Sequence, residues 1–333
     1  MRTSRVRMSR TDNYIICANL VLLALMLLGV GSNSEEQSFA HLRSGAELWL
    51  LTSGGFVELY GRLSARRSLY RLNHLLYRCA IRGLGCLHWE NFRATGEDAF
   101  VRSVVAGRDD PLTVFDVGAY HGDYAKLVRH YSPTAQIYCF EPHPRSYQKL
   151  QEVAQTHNLV TLDLACAERS GKAVLFDLAE NDGSLFASLY REMFDLHLGK
   201  PSRAHDVDAV SIDEFAETRG IERINLLKID TEGSELDVLK GASALIQAGR
   251  IDAVQFEFST RFVLRHTFVR DFCELLGGYQ FFRLLPNELL PLGPYSVSNY
   301  ELFHYQHLVA LLDKGKPPAR LGTGRARLAD PVA

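Results

Sequence analysis

The chain has 333 residues, a length that suits one large domain with additional segments. Its 37 Lys and Arg residues nearly balance 39 Asp and Glu residues, and the resulting net charge of -2 argues against a dedicated nucleic-acid-binding protein. A hydrophobic fraction of 47% with 10% aromatic residues excludes global disorder. The six cysteines form no CxxC pair and no Cys/His cluster, so neither a zinc site nor a disulfide framework is predicted.

The N-terminal residues 1–31 combine an arginine-rich flank with an uncharged apolar run at residues 14–31. This run lies at the lower limit of length for spanning a bilayer. Three interpretations remain open: a transmembrane signal anchor, a cleaved signal peptide, or an artefact of a start codon placed too far upstream. A second apolar stretch, residues 48–60, is predicted to form a packed or interfacial helix rather than a second span.

Residues 32–112 are predicted to form a helical extension and linker. Leu72, Leu75, Leu76 and Cys79 fall on one stripe of a helix that carries several arginines between residues 62 and 82. The basic face is either simply solvated or in contact with anionic lipid or an acidic substrate. At the other end of the chain, residues 313–333 are rich in Pro, Gly, Ala and Arg and are predicted to be a disordered tail.

Residues 113–312 alternate short apolar strands with segments of helical periodicity. Central strands are predicted at residues 113–117, 136–140, 159–164, 224–229 and 253–258, with further strands at 173–176, 209–212, 279–284 and 303–312 and a helix at 234–246. Strand and helix in alternation predict an α/β, Rossmann-like fold with a mostly parallel sheet covered by helices on both faces. Ligands in such folds bind at the carboxyl ends of the strands.

The first strand runs into the sequence FDVGAYHGDY, which begins at Phe115. Its pattern, with Asp116 at the strand end followed by Gly118 and Gly122, does not fit the G-x-G-x-x-G fingerprint of dinucleotide-binding proteins. An acid at this place repels a pyrophosphate but suits a ligand with a positive end, such as the amino group of S-adenosylmethionine. The glycines alone are equally compatible with a tight turn that has no ligand.

Glu141 and Pro142 follow the second strand. Rossmann-like sheets place at this position the carboxylate that binds the ribose hydroxyls. A surface-exposed strand-end glutamate is the alternative, but the joint presence of Asp116 and Glu141 favours a nucleoside ligand. Further along the chain, Asp230 and Glu232 leave a buried strand, and Glu257 lies within an apolar strand, where a buried carboxylate needs a partner.

The sequences FDVGAYHGDY, FEPHP, LLKIDTEGSELDVLKGA and VQFEF together resemble the FkbM family of S-adenosylmethionine-dependent methyltransferases, over residues 113–312. The resemblance implies a class I methyltransferase fold and O-methylation of a hydroxyl on a sugar, glycan or natural product. It also implies that Asp230, Glu232 and Glu257 face this acceptor. The residues implied to bind S-adenosylmethionine are Asp116, Gly118, Ala119, Tyr120, Gly122, Glu141 and Pro142.

In methyl transfer from a sulfonium to a hydroxyl, a nearby carboxylate or histidine can act as general base. Asp230 is the first candidate, and His121 on the glycine-containing loop and Glu232 are further ones. Residues 180–205 are predicted to form a lid over the acceptor, which Ser184 and Ser188 would contact. A divalent metal held by Asp230, Glu232 and Glu257 is an alternative way to activate the hydroxyl, but we predict that no metal is bound.

Two other functional classes remain as alternatives: a nucleotide-dependent oxidoreductase, and a non-catalytic, membrane-associated nucleoside-binding module. The basic N-terminal flank favours a cytoplasmic N-terminus. If the chain crosses the membrane once, the catalytic domain would then lie outside the cytoplasm. S-adenosylmethionine is made in the cytosol, however, and the cysteines fit a reducing compartment. We therefore expect a membrane-associated protein whose catalytic domain is cytoplasmic and whose basic helix meets an anionic membrane surface.

Overall fold

The computed structural model describes residues 53–108 and 112–314. The chain divides into two compact units, residues 1–76 and residues 77–333. The predicted apolar segment at 14–31 and the predicted tail from residue 315 onwards lie outside the described residues. The N-terminal hydrophobic helix of the predicted fold also lies outside the described residues. Among the helices that are described, none combines the length and the hydropathy needed to cross a bilayer.

The secondary structure alternates as the sequence predicts. The helices are α1 Ser53–Ser64, α2 Tyr70–Gly83, α3 Phe92–Thr95, α4 Glu97–Val105, α5 Asp123–Tyr131, α6 Pro144–His157, α7 Ile212–Thr218, α8 Glu235–Lys240, α9 Ser243–Gln247, α10 Arg261–Leu264, α11 Val269–Leu275 and α12 Val297–Tyr300. The strands are β1 Thr113–Val117, β2 Gln136–Phe140, β3 Val160–Leu162, β4 Leu164–Cys166, β5 Gly171–Leu178, β6 Ser202–Val210, β7 Leu226–Ile229, β8 Ala253–Phe258, β9 Tyr279–Leu285, β10 Glu288–Pro291 and β11 Gln306–Leu312.

The first unit is described from residue 53 onwards. Within it, α1 and the start of α2 are joined by a short 3-10 turn at Arg67–Leu69, and the Asn73 side chain donates a hydrogen bond to the carbonyl of Ser64. The predicted helix at residues 48–60 is therefore present from residue 53. The predicted apolar stripe does lie on α2, but Leu75 and Leu76 are 57% and 40% exposed, so these two residues are not core residues.

Eight strands form the central sheet in the order β10-β9-β11-β8-β7-β1-β2-β3. The strands from β8 to β3 in this order are all parallel, whereas β11, β9 and β10 pair antiparallel. The predicted mostly parallel sheet is thus a mixed sheet with an antiparallel edge. The strand order reverses at β1, which lies between β2 and β7, and open α/β sheets bind ligands at such a switch point.

Alternate residues of the central strands enter two separate cores, one on each face of the sheet. Val114 and Leu226 pack with side chains of α4, α5 and α6 on one face. Phe115 and Leu227 pack with side chains of α7 to α11 on the other. The two cores confirm the predicted helical layers on both faces, and they explain why the central strands read as nearly continuous apolar runs.

A second sheet, in the order β4-β6-β5, is inserted between β3 and β7. The single strand predicted at 159–164 is wrong because the chain changes sheets after Leu162: β3 pairs with β2, and β4 pairs with β6. The single helix predicted at 234–246 is also wrong. The predicted helix is interrupted by Asp213, whose N–H donates to the carbonyl of Gly241. The Asp213 carboxylate accepts the N–H groups of Ala244 and Leu245, where a new helix begins.

Candidate functional site

The loop after β1 touches the chain after β7. Gly118 has a φ of +79°, and a Cβ at this residue would lie 1.9 Å from the carbonyl oxygen of Asp230. The N–H of Asp230 also donates to the carbonyl of Val117 at 2.9 Å. A glycine is therefore required at residue 118, both for its left-handed conformation and for the close approach of the two backbones.

Glu141 is held at the end of β2 by two backbone groups. Its Oε2 accepts the N–H of Tyr120 and its Oε1 accepts the N–H of His143, each at 2.8 Å. Tyr120 adopts a left-handed φ of +48°, which a non-glycine residue rarely does and which is typical of functional loops. Burial raises the pKa of Glu141 to about 7 against the opposing effect of these hydrogen bonds. Each oxygen keeps a further lone pair for a ligand.

Two cavities open at this end of the sheet. The narrow cavity, about 60 Å³, has mainly apolar walls from Phe140, Leu164 and Leu175, with Glu141 and Pro142 also lining it. The wide cavity, about 640 Å³, is lined by side chains from β1, β7 and β11, from α3 to α5 and from their loops, and many of these are polar or aromatic. The two cavities share four lining residues: Gly118, Tyr120, Leu185 and Asp230.

Asp116 is buried and lines the wide cavity. Its Oδ2 has no hydrogen-bond partner among the described residues. Burial raises the pKa of Asp116 to about 7, and the nearby Lys228 ammonium opposes this rise. A buried carboxylate oxygen without a partner is costly and is expected where a ligand supplies the missing donor. Ala119 lines the same cavity. Gly122 instead packs against Leu150 and does not appear in the lining of either cavity.

Asp230 lies where the two cavities meet and forms an ion pair with Lys228, whose Nζ is 3.0 Å from Oδ2. Although burial opposes ionisation, the Lys228 ammonium holds the pKa of Asp230 below its usual value. Lys228 itself is almost fully buried on β7. Asp230 is therefore an ionised carboxylate at neutral pH, fixed in place by a buried cation.

Glu232 and Glu257 share a single arginine. Arg261 Nη1 lies 3.1 Å from Glu257 Oε1 and also contacts Glu232 Oε2. With Asp230 these carboxylates form a group whose oxygens lie within 4.8 Å of one another. The guanidinium contributes the positive charge that a divalent ion would otherwise bring to this group, which favours the metal-free interpretation. Glu257 is nevertheless buried strongly enough that desolvation raises its pKa well above the usual value.

His121 follows Tyr120 on the loop after β1, and the two rings stack with centroids 3.6 Å apart. Its Nε2 is buried and has no hydrogen-bond partner among the residues described. Burial lowers the pKa of His121, so the imidazole is neutral at neutral pH. The ring lines the wide cavity, as a second candidate base should.

The connection between β5 and β6 lines the narrow cavity, but it contributes only Leu185 to the wide cavity, so its role as a lid over the acceptor stays a prediction. The predicted range also ends within β6. Ser184 donates to Asp177 Oδ1, and Ser188 donates to the carbonyl of Glu232 at 2.9 Å. Both hydroxyls therefore hold the connection in place. Their predicted contact with an acceptor stays a prediction.

A partly buried network lies beside Glu141 and was not predicted from the sequence. Asp182 Oδ1 lies 3.1 Å from His143 Nε2 and 3.0 Å from His205 Nε2. Because His143 Nδ1 accepts the N–H of Arg145 as the N-terminal cap of α6, the proton of the neutral ring resides on Nε2. With the proton on Nε2, the ring can donate to Asp182. A histidine that binds a metal through Nε2 would normally carry its proton on Nδ1 and donate from there, so this tautomer does not suit metal binding. The FEPHP sequence contained His143 as a signal.

A second buried network lines the wide cavity. Gln255 donates to Glu97 Oε1 at 2.8 Å and accepts from the Tyr124 hydroxyl at 2.7 Å. His307 Nε2 lies 3.1 Å from the Tyr305 hydroxyl. Tyr124 and Gln255 lie within the FDVGAYHGDY and VQFEF sequences, but the network itself could not be predicted, because its members come from helices and strands that meet only in the folded chain.

Residues 116–281 match the family model of the Methyltransferase FkbM domain. The chain belongs to the FkbM methyltransferase family. It is 24% identical over 162 residues to hexuronic acid methyltransferase AglP of Haloferax volcanii, covering 48% of this chain and 62% of the relative. It is 26% identical over 152 residues to 2-O-methyltransferase NoeI of Sinorhizobium fredii, covering 43% of this chain and 62% of the relative. The chain thus spans about six-tenths of the length of these relatives.

Among solved structures, an rRNA methylase from Streptococcus thermophilus aligns with 10% identity and a TM-score of 0.37, covering 67% of this chain and 98% of the other. The predicted family resemblance is confirmed by the match to the family model. Membership of this family implies S-adenosylmethionine as the cofactor. The orphaned Asp116 oxygen and the two free lone pairs of Glu141 suit the polar groups of that molecule, and the apolar walls of the narrow cavity suit its base once the cavity widens.

Proposed function

We propose that this FkbM-family protein transfers a methyl group from S-adenosylmethionine to a hydroxyl of a sugar, glycan or other small-molecule acceptor. The observation that carries the proposal is the meeting of the two cavities at Asp230. The narrow cavity beside a ribose-type carboxylate suits a nucleoside, and the wide cavity next to it, where aromatic side chains alternate with hydrogen-bonding groups, suits a hydroxylated acceptor. The names of the two relatives, a hexuronic acid methyltransferase and a 2-O-methyltransferase, agree with this acceptor class.

Three groups would hold the cofactor. Glu141 accepts hydrogen bonds from the ribose hydroxyls, the walls of the narrow cavity contact the base, and Asp116 accepts from the ammonium group. Because the narrow cavity holds only about 60 Å³, Leu185 and the rest of its outer wall must move outwards to admit a nucleoside. When bound, S-adenosylmethionine supplies an electrophilic methyl group.

The ionised Asp230 orients the acceptor hydroxyl and accepts its proton. Lys228 fixes the carboxylate, and its charge keeps Asp230 from being protonated before the acceptor arrives. A weakly basic carboxylate suffices, because the hydroxyl proton becomes strongly acidic as the oxygen gains the methyl group. His121 is the second candidate for this role. Glu232, which is paired with Arg261, lines the narrow cavity and not the wide one, so its predicted contact with the acceptor stays a prediction.

Binding titrations and a turnover assay test the proposed function. Isothermal titration is expected to show binding of S-adenosylmethionine and S-adenosylhomocysteine but not of NAD. Incubation with a panel of glycosides is expected to release S-adenosylhomocysteine and yield a product heavier by one methylene unit. Binding of NAD in place of S-adenosylmethionine would favour an oxidoreductase, and tight cofactor binding with no turnover on any hydroxylated acceptor would favour a non-catalytic module.

We expect Glu141→Gln to weaken S-adenosylmethionine binding at pH 8 by roughly 1–3 kcal/mol, the cost of losing a charged acceptor for buried donors. In the wild-type protein, Glu141 and Asp116 both titrate at about pH 7, and the cofactor prefers both in the ionised form. The wild-type affinity should therefore rise as pH increases from 6 to 8, with proton release, and the variant should lose part of this dependence. Titrations in two buffers of different ionisation enthalpy measure both quantities.

The same pKa values fix the sign of the effect on stability. A carboxyl group whose pKa is raised in the folded state stabilises the fold at pH values below its pKa in the unfolded state, which is about 4.3. This contribution is lost as pH rises through the folded-state pKa of about 7. Without ligand, the wild-type protein should lose more stability between pH 5 and pH 8 than Glu141→Gln does. Glu152→Gln, an exposed change on α6, is the matched control and should behave like the wild type. A wild-type affinity independent of pH would contradict the assignment of Glu141.

We also propose that α2 contacts anionic membrane. Leu75 and Leu76 are exposed on this helix, and the exposed Arg71 and Arg78 lie on either side of them in the chain. The protein should sediment with vesicles containing phosphatidylglycerol, less so at high salt, and not with phosphatidylcholine alone. Loss of sedimentation is expected for the Arg71→Ala/Arg78→Ala variant. A cytoplasmic catalytic domain stays a prediction, and protease digestion of intact cells tests it.

A further inference from the structure

Each of the two lysines that line the wide cavity is paired with a carboxylate that also lines it, the first pair mostly buried and the second largely exposed. Lys228 forms an ion pair with Asp230, and Lys126 forms one with Asp123 on the same turn of α5. All four of these residues line the cavity. A carboxylate on an incoming acceptor would therefore have to share either ammonium with the carboxylate that already neutralises its charge.

Other cations near this cavity are Lys149, which acts on His121, and Arg261, which acts on Asp230 but is paired with Glu232 and Glu257. Arg82, whose guanidinium lies 6.0 Å from the ring of the lining residue Trp89, is paired with Glu90. Two further carboxylates, Asp116 and Glu97, line the cavity in addition to the two that pair with lysines. Among the described lining residues, four carboxylates thus face two ammonium groups, and three carboxylates remain once Asp116 pairs with the ammonium group of the cofactor as proposed above.

The remaining lining groups are neutral or aromatic. The His121 and His307 imidazoles are uncharged at neutral pH because burial lowers the pKa of each. Trp89 and Tyr305 lie edge to face with ring centroids 6.4 Å apart, and Trp89 is more than half exposed. Aromatic faces of this kind can pack against the C–H face of a sugar ring, and the carboxylates can accept hydrogen bonds from its hydroxyls.

We propose that the wide cavity selects an uncharged sugar as methyl acceptor and discriminates against uronic acids. This inference rests on the proposed function and deepens it by naming the substrate class. A sugar carboxylate would meet an excess of negative charge with both lysines already engaged, and such like-charge contacts are an effective source of specificity. The acceptor class therefore differs from the hexuronic acid named for the Haloferax volcanii relative.

Matched acceptors test the proposal. Octyl glycosides of glucose, galactose and mannose are each compared with the corresponding uronide and with the uronamide, which keeps the shape of the uronide without its charge. We expect kcat/KM to be at least about tenfold higher for the glycoside and the uronamide than for the uronide. The affinities of these acceptors for the protein loaded with S-adenosylhomocysteine should differ in the same way. Uronides that bind and react as well as the neutral sugars would overturn the inference and leave the proposed methyl transfer intact. A protein that binds S-adenosylmethionine but none of these acceptors would contradict both.

A variant tests the ion pairs directly. Asp123→Asn releases Lys126 from its partner inside the cavity, so the ratio of glycoside to uronide activity should fall several-fold. Asp208→Asn, which releases Lys172 on the small sheet from a pair at 2.7 Å, is the matched control and should leave the ratio unchanged. An unchanged ratio in Asp123→Asn would overturn the role assigned to the pairing of Lys126.

Discussion

Asp230→Asn is expected to retain S-adenosylmethionine binding and to lose turnover by about 10²-fold or more, the effect of removing a general base. The carboxylate lies at the junction of the two cavities, and its partner Lys228 holds it ionised. Asparagine keeps the size of the side chain and a hydrogen-bond acceptor for the lysine, but it cannot take up the proton. Initial rates of S-adenosylhomocysteine formation and isothermal titration with the cofactor separate the two effects.

Because the change leaves the buried Lys228 without its closest anion, the thermal midpoint of each variant must also be measured. Asp206→Asn, an exposed change on β6, is the matched control and should have wild-type turnover. His121→Gln is the second variant. If Asp230→Asn turns over like the wild type while His121→Gln does not, the base is His121. A loss of cofactor binding that equals the loss of turnover in Asp230→Asn would place this residue in cofactor binding instead.

Gly118→Ala is expected to lower the free energy of unfolding by roughly 2–5 kcal/mol and to abolish measurable cofactor binding. About 1–2 kcal/mol comes from the left-handed conformation and a further 1–3 kcal/mol from the added methyl group. The methyl group would collide with the Asp230 carbonyl oxygen, so the loop after β1 and the chain after β7 must separate. Urea unfolding and isothermal titration measure the two effects.

Gly220→Ala separates these two causes. Gly220 has a φ of +64°, and no atom lies within 4 Å of a Cβ built on it. This variant carries the conformational cost without the collision, so it should unfold at only slightly lower urea concentration and bind the cofactor normally. If Gly118→Ala behaves like Gly220→Ala, the close contact between Gly118 and Asp230 does not shape the site.

The central strands could be predicted because their signals are local. The sequences at residues 113–117, 136–140 and 253–258 are short runs of β-branched and aromatic residues, and β1, β2 and β8 have these bounds. The break between α8 and α9 could not be predicted, because Asp213 causes it from a helix some thirty residues earlier in the chain. The antiparallel edge formed by β9, β10 and β11 likewise depends on pairings that periodicity does not encode.

The same distinction applies to the site. Asp116, Glu141 and Asp230 end neighbouring strands, and the rule that parallel strands meet at their carboxyl ends brings them together. The partners that set their charge states come from distant parts of the chain or from positions that looked like ordinary strand residues. Lys228 lies in a strand that was predicted to be buried, and Arg261 lies where no element was predicted. These two cations nevertheless neutralise much of the carboxylate group.

The structure of the protein crystallised with S-adenosylhomocysteine tests the central claim most directly. We predict that both ribose hydroxyls donate to Glu141, that the base lies in the narrow cavity and that the sulfur lies at the junction beside Asp230, with the wide cavity open in front of it. A nucleoside bound away from Glu141, or a sulfur that faces neither Asp230 nor the wide cavity, would contradict it.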